Sequence, residues 1–259
     1  MILEYKKANI FYTDQGKGAA VVLIHGFLEN ATMWDKITSE LIKKNRVITI
    51  DLLGHGKSDC LGYSHSMDVF SETIEAVLKH IRIRKCILVG HSLGGYVALA
   101  FAEKNPQKVK GLCLMNSTSI EDNNDRKLLR TRANKMIQNN FTNMVRMSFA
   151  NLFGDKSKTL FKEEIKKALN EALQTSIQGY IAAQEGMKKR VNRSAVLSDN
   201  HFKKLIIIGE KDPVLDFDTS QEEAKNTNSE FVVFPDGHMS HIENKSELIA
   251  TLKGFIKKS

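Results

Sequence analysis

A serine hydroxyl attacks a carbonyl only when a base takes its proton and a third group holds that base in place. One serine in the chain is set up for such work: Gly90-His91-Ser92-Leu93-Gly94-Gly95 follows an apolar run at 86–89 and precedes a helical pattern at 96–103. A serine between strand and helix sits on a sharp turn with Oγ exposed, and glycines two residues to either side let neighbouring chain pass close. Two later segments supply partners. Gly209-Glu210-Lys211-Asp212-Pro213-Val214 follows the apolar run 205–208, and Pro235-Asp236-Gly237-His238-Met239-Ser240-His241 follows 231–234. Both loops lie at the carboxyl ends of expected strands, where open α/β sheets assemble their sites. The pattern predicts Ser92 as nucleophile, His238 as base and Asp212 as the acid that orients it.

Three residues so far apart in sequence need a sheet to bring them together. Short β-branched runs at 20–24, 46–50, 86–89, 109–115, 205–208 and 231–234 alternate with segments of helical length and period. Strands that are apolar almost throughout are buried on both faces. The expected fold class is therefore α/β, a mostly parallel central sheet flanked by helices. Residues 1–6 and 8–13 are half-polar and end at Asp14-Gln15-Gly16-Lys17-Gly18, the pattern of an antiparallel hairpin on the sheet edge. Between 119 and 198 the strands stop, and Ile137, Phe141, Met144, Val145, Ser148 and Leu152 recur at helical spacing. This predicts a core of residues 1–118 and 199–259, with a helical cap at 119–198 inserted before the last strands and hinged near Ser119 and Ser198.

Composition narrows the function classes. In 259 residues, 42% apolar and 26% charged side chains exclude a disordered tail and a disulfide scaffold. Cys60, Cys86 and Cys113 have no paired spacing, residues 1–7 lack the apolar stretch of a secretory h-region so that export by that route is not expected, and no apolar run approaches the roughly twenty residues of a membrane span. A reducing, cytoplasmic setting is expected. The net charge is +8, and 119–198 holds fifteen Lys/Arg against eight Asp/Glu, so nearly all the excess lies in the insertion. Such a charge could draw an anionic substrate to the cleft, but charges spread along helices read first as a solvated face, and no nucleic-acid-binding motif accompanies them. Histidines 55, 65, 80 and 201 lack metal-ligand spacing, and Asp51 to Ser58 lacks that of a phosphate loop. Neither a metal nor an organic cofactor is expected.

The chain order Ser92, Asp212, His238, with His25-Gly26-Phe27 after 20–24 and Asp51-Leu52-Leu53-Gly54-His55-Gly56-Lys57-Ser58 after 46–50, resembles the α/β-hydrolase superfamily over everything but the insertion. The resemblance implies that the backbone N–H groups of Phe27 and Leu93 form the oxyanion hole. It favours the Gly237-His238 histidine as base over His241, gives His25 the task of shaping the oxyanion loop, and with serine at 92 disfavours epoxide opening and dehalogenation. The implied activity is hydrolysis of a small-molecule carboxylic ester, with thioesters and lactones in the same class. Carbon–carbon hydrolysis, a menaquinone-pathway-type lyase step on the same triad, and a low-turnover ligand receptor of the same fold are the alternatives. Phe141, Met144 and Met239 are candidates to line the substrate pocket, though helical spacing equally suits the insertion's own packing.

Overall fold

The computed structural model describes residues 1–259. Eight strands form one sheet: β1 (Ile2–Tyr5), β2 (Ala8–Gly16), β3 (Ala19–Ile24), β4 (Asn45–Ile50), β5 (Cys86–His91), β6 (Val109–Met115), β7 (Lys203–Gly209) and β8 (Glu230–Phe234). Their order is β1-β2-β4-β3-β5-β6-β7-β8. β1 and β2 make the antiparallel edge hairpin, β2 meets β4 antiparallel, and β4 through β8 run parallel. β2 reaches past Thr13 to Gly16, because Gln15 and Gly16 still pair with Val47 and Arg46.

The helices are α1 (Asp35–Leu41), α2 (Met67–His80), α3 (Leu93–Lys104), α4 (Asn124–Ala150), α5 (Asp155–Leu160), α6 (Lys162–Ala172), α7 (Ile177–Lys188), α8 (Ser194–Ser198), α9 (Phe217–Asn226), α10 (Ser240–Glu243) and α11 (Lys245–Lys258). Successive strand residues serve opposite faces, which is why the central strands are apolar at every position. Val22, Ile24 and Leu88 pack with α2 and α3, while Val21, Leu23, Ile87 and Val89 pack with α1 and α11. No helix is long and apolar enough to cross a membrane.

Helices α4 to α8 form the insertion between β6 and β7. Its junction near Ser119 is tied down: the Ser119 N–H and Oγ both donate to Glu223, and the Ser119 carbonyl accepts the Arg193 N–H at 2.8 Å. α7 also touches the core backbone. A Cβ on Gly179 would stand 2.1 Å from the Gly54 carbonyl oxygen and one on Gly186 1.7 Å from that of His65, while His65 N–H donates to Ala182 O at 2.9 Å. No flexible side chain can yield at either contact. Gly186→Ala is expected to cost about 2 kcal/mol, a fall in Tm of about 4–8 °C. An unchanged melting curve would mean that α7 is not held this closely.

Candidate active site

Five neighbouring strands deliver their carboxyl-end loops to one place. Phe27 and Glu29 follow β3, Ser92 follows β5, Asn116 follows β6, Asp212 follows β7 and His238 follows β8. Ser92 has φ 49° and ψ −113°, a conformation costing a non-glycine residue about 1–3 kcal/mol. The turn is forced by crowding, since a Cβ on Gly90 would lie 2.4 Å from the Gly94 carbonyl and one on Gly94 2.2 Å from Ile24 O. Leu93 is the first residue of α3, so its N–H has no intrahelical acceptor and the positive end of the helix dipole faces the Ser92 turn.

His238 is nearly buried, and its Nδ1 bonds Asp212 Oδ2 at 2.8 Å. Asp212 Oδ1 accepts the Val214 and Leu215 N–H groups at 2.8 and 3.1 Å, and Oδ2 also accepts Asn116 Nδ2 at 2.9 Å. Burial works to raise the Asp212 carboxyl, but the His238 ring and these donors outweigh it and hold the group below its usual range. An ionised Asp212 requires the His238 proton on Nδ1, leaving Nε2 as a basic lone pair. Ser92 and His238 line the same cavity of about 180 Å³, walled by Phe27, Tyr96, Phe149, Leu152, Tyr180 and Met239.

The other expected residues divide. Phe27 and Met239 reach this cavity, while Phe141 and Met144 sit behind it, packed against the insertion's apolar cluster. His25 Nδ1 donates to Gly26 O at 2.7 Å and its Nε2 accepts Leu52 N–H at 2.9 Å, so a neutral ring staples the Phe27 loop to the loop after β4. His241 is buried, with Nε2 3.8 Å from Glu29 Oε1.

Sequence reasoning missed Asn116 and the pair Glu29–His91. Asn116 spans from Asp212 to Gly237 O at 3.3 Å and accepts Ser240 Oγ at 2.7 Å. His91 donates from Nδ1 to Glu29 Oε2 at 2.7 Å and from Nε2 to the His238 carbonyl at 3.0 Å. Donation from both nitrogens requires the imidazolium. Burial works to lower His91, and Glu29 overcomes it to raise the ring; burial works to raise Glu29, and His91 brings the carboxyl down to about 2. Glu29 Oε2 also accepts Gly26 N–H at 2.6 Å, so one buried ion pair ties together the Phe27 loop, the Ser92 turn and the His238 loop. With His241 the pair brings three ligand atoms within 4.8 Å of one another, but its 2.7 Å contact is a hydrogen bond, and the ion pair accounts for it.

These groups predict a pH dependence of stability. Burial pushes His55 down to about 3 and His241 down to about 4, and it lowers His25 despite Asp51. As pH falls below the ordinary histidine value of 6.5 the unfolded chain takes up protons that these folded rings refuse. Each ring therefore removes about 1.4 kcal/mol per pH unit until its folded value is reached. Glu29 adds to the acid loss below 4.5, whereas the raised His91 loses its contribution only as pH climbs above 6.5. Stability should peak near neutrality and fall from pH 6.5 to 4.5 in urea unfolding, with a shallower slope in His55→Gln. A flat profile over that range would contradict the neutral buried rings.

A family model described as the alpha/beta hydrolase fold matches residues 19–245. The solved structure of a thermophilic esterase from Thermogutta terrifontis, with malate bound, superposes with a TM-score of 0.92 at 27% identity, covering 97% of this chain and 94% of that one. The dihydrolipoyllysine-residue acetyltransferase component of the acetoin cleaving system of Pseudomonas putida is 29% identical over 245 residues, 93% of this chain and 64% of that protein. A 2-hydroxymuconate semialdehyde hydrolase of Pseudomonas is 36% identical over 111 residues, 41% of this chain and 39% of that one. Uncharacterised mycobacterial proteins match over 40% of this chain and 31% of their own length, so the chain spans about a third of those relatives.

Proposed function

Since the chain belongs to the α/β hydrolase fold family, we propose that it is a serine hydrolase of small carboxylic esters, with residues 119–198 acting as its cap. The observation that carries this reading is Asp212 on His238 Nδ1 at 2.8 Å, with the ring in one cavity with Ser92. Ser92 Oγ attacks the ester carbonyl as His238 Nε2 takes its proton, and the oxyanion collects the Phe27 and Leu93 N–H groups. Collapse releases the alcohol, which carries away the proton from His238. Water, deprotonated by the same nitrogen, then frees the acid and restores Ser92. Three free cysteines accord with a reducing, cytoplasmic setting.

A fluorophosphonate added to the wild-type protein should add one label, read by intact mass, and p-nitrophenyl esters from acetate to decanoate should turn over fastest at the short end. A cavity of about 180 Å³ is smaller than the roughly 300–1,000 Å³ of ordinary small-molecule sites, which favours short acyl groups. A folded protein that takes no label would remove the serine mechanism. Carbon–carbon hydrolysis is the second reading, favoured by the likeness to the semialdehyde hydrolase. Cleavage of a vinylogous diketone with no ester turnover would select it.

A further inference from the structure

The insertion's positive charge is not all solvated. Asp122, whose side chain is 0% exposed, receives two guanidiniums: Arg190 Nη1 at 2.6 Å on Oδ1, and Arg130 Nε on Oδ2. Burial works to raise Asp122, but Arg130 and Arg190 hold it below its usual range, so the carboxylate is ionised. One carboxylate against two guanidiniums leaves one positive charge over. Glu185, the nearest acid along α7, is spent on Asn134 and Lys188.

The two arginines differ in where they face. Arg190 is closed off: its guanidinium lies 4.1 Å over the Tyr96 ring, Nη1 and Nη2 also donate to the Met187 and Ile120 carbonyls, and its side chain is 4% exposed. Arg130 is a wall of the cavity that holds Ser92 and His238. Of its five N–H groups, Nε and one on Nη2 go to Asp122, and one on Nη1 goes to Gln184 Oε1 at 2.7 Å. Two remain. Arg130 thus sits at the edge of a small cavity with aromatic walls, Tyr96 and Tyr180 among them, whose other charged wall, Glu29, is already paired with His91, so that an arriving anion meets a guanidinium sharing its only carboxylate with Arg190.

We propose that Arg130 binds a carboxylate of the substrate, so that the ester cleaved at Ser92 carries a free carboxylate on the part that enters the cavity. Guanidinium donors fit a carboxylate's two oxygens, and Arg130 is mostly withdrawn from solvent, its side chain 15% exposed. Asp122 and Gln184 hold the fork in place, and Arg190 shares Asp122 so that Arg130 is not fully neutralised. The inference rests on the serine-hydrolase reading. A monoester of a short dicarboxylic acid is the simplest substrate of this class, and its hydrolysis consumes water and yields the dicarboxylate and an alcohol.

The test compares monomethyl succinate with methyl butanoate by pH-stat, in wild type, Arg130→Gln and Arg130→Lys, with fluorophosphonate labelling of each protein alongside. Wild type should favour the half-ester by at least tenfold in kcat/KM. Arg130→Gln should raise KM for the half-ester tenfold or more, with a smaller change for methyl butanoate, and Arg130→Lys should fall between. Sodium succinate should inhibit wild type competitively and Arg130→Gln weakly. Labelling and methyl butanoate turnover without a half-ester preference in wild type would overturn the carboxylate site while leaving the serine hydrolase standing; no labelling at all would overturn the hydrolase reading first. Should Arg130→Gln fail to fold, the wild-type preference and the Arg130→Lys shift decide.

Discussion

Ser92→Ala should abolish fluorophosphonate labelling and lower kcat on short p-nitrophenyl esters by about 10⁶-fold, the loss found when a triad serine is removed. Without Oγ no acyl-enzyme forms, and what remains is direct attack by water beside the Phe27 and Leu93 N–H groups. Stability should not follow activity. The Ser92 backbone is held by the Met115 carbonyl at 3.0 Å, by Gly95 N–H on its own carbonyl at 2.9 Å and by Ser117 Oγ at 2.7 Å. None of these bonds uses the Ser92 side chain, so Ser92→Ala should melt within about 2 °C of wild type. Ser92→Gly relieves the cost of φ 49° at the price of a looser unfolded chain, and should melt no lower than Ser92→Ala. Turnover or labelling surviving in either variant would show that another residue is the nucleophile.

The parts of this architecture that were legible in the sequence are those where local pattern and global role coincide. Runs such as Val21 to Ile24 are apolar at every position because both faces of β3 are covered. The Ser92 turn was legible because its glycines answer to backbone contacts of 2.2 to 2.4 Å that admit no Cβ. What escaped depends on side chains meeting across long loops. Glu29 and His91 are 62 residues apart, and Asn116 and Asp212 are 96 apart. A lone asparagine after a strand carries no signal that it will bond a distant carboxylate. The apolar stripe of α4 was read as one face, yet Asn140 breaks the helix with φ −149° and ψ 42°. Beyond that kink Phe141 and Met144 pack inward behind the wall, and the residues reaching the cavity are Ser148, Phe149 and Leu152. Net charge is silent in a similar way: counting places the excess on the insertion and leaves a solvated face and an anionic substrate both open, and only burial distinguishes Arg130 and Arg190 from lysines in water.

Asp212→Asn should lower kcat/KM by about 10⁴-fold while leaving the fold intact, because an amide cannot satisfy what the carboxylate satisfies. Four donors converge on Asp212: His238 Nδ1 and Asn116 Nδ2 on Oδ2, and the Val214 and Leu215 N–H groups on Oδ1. With its NH₂ toward His238, asparagine opposes Asn116 and forces the ring to carry its proton on Nε2, which removes the lone pair that Ser92 needs. Turned the other way, the NH₂ opposes two backbone donors that cannot move without reshaping the loop after β7. Either orientation leaves a buried donor unpaired, at about 1–3 kcal/mol, but only the first presents the wrong tautomer to Ser92. The backbone donors are the less mobile pair, so the first orientation prevails. The observable signature is a parallel fall in fluorophosphonate labelling rate and ester turnover, with one label still added at long times because Ser92 remains. A loss of less than tenfold would mean that Asp212 does not set the His238 tautomer, and that the His91 bond to the His238 carbonyl holds the base by itself.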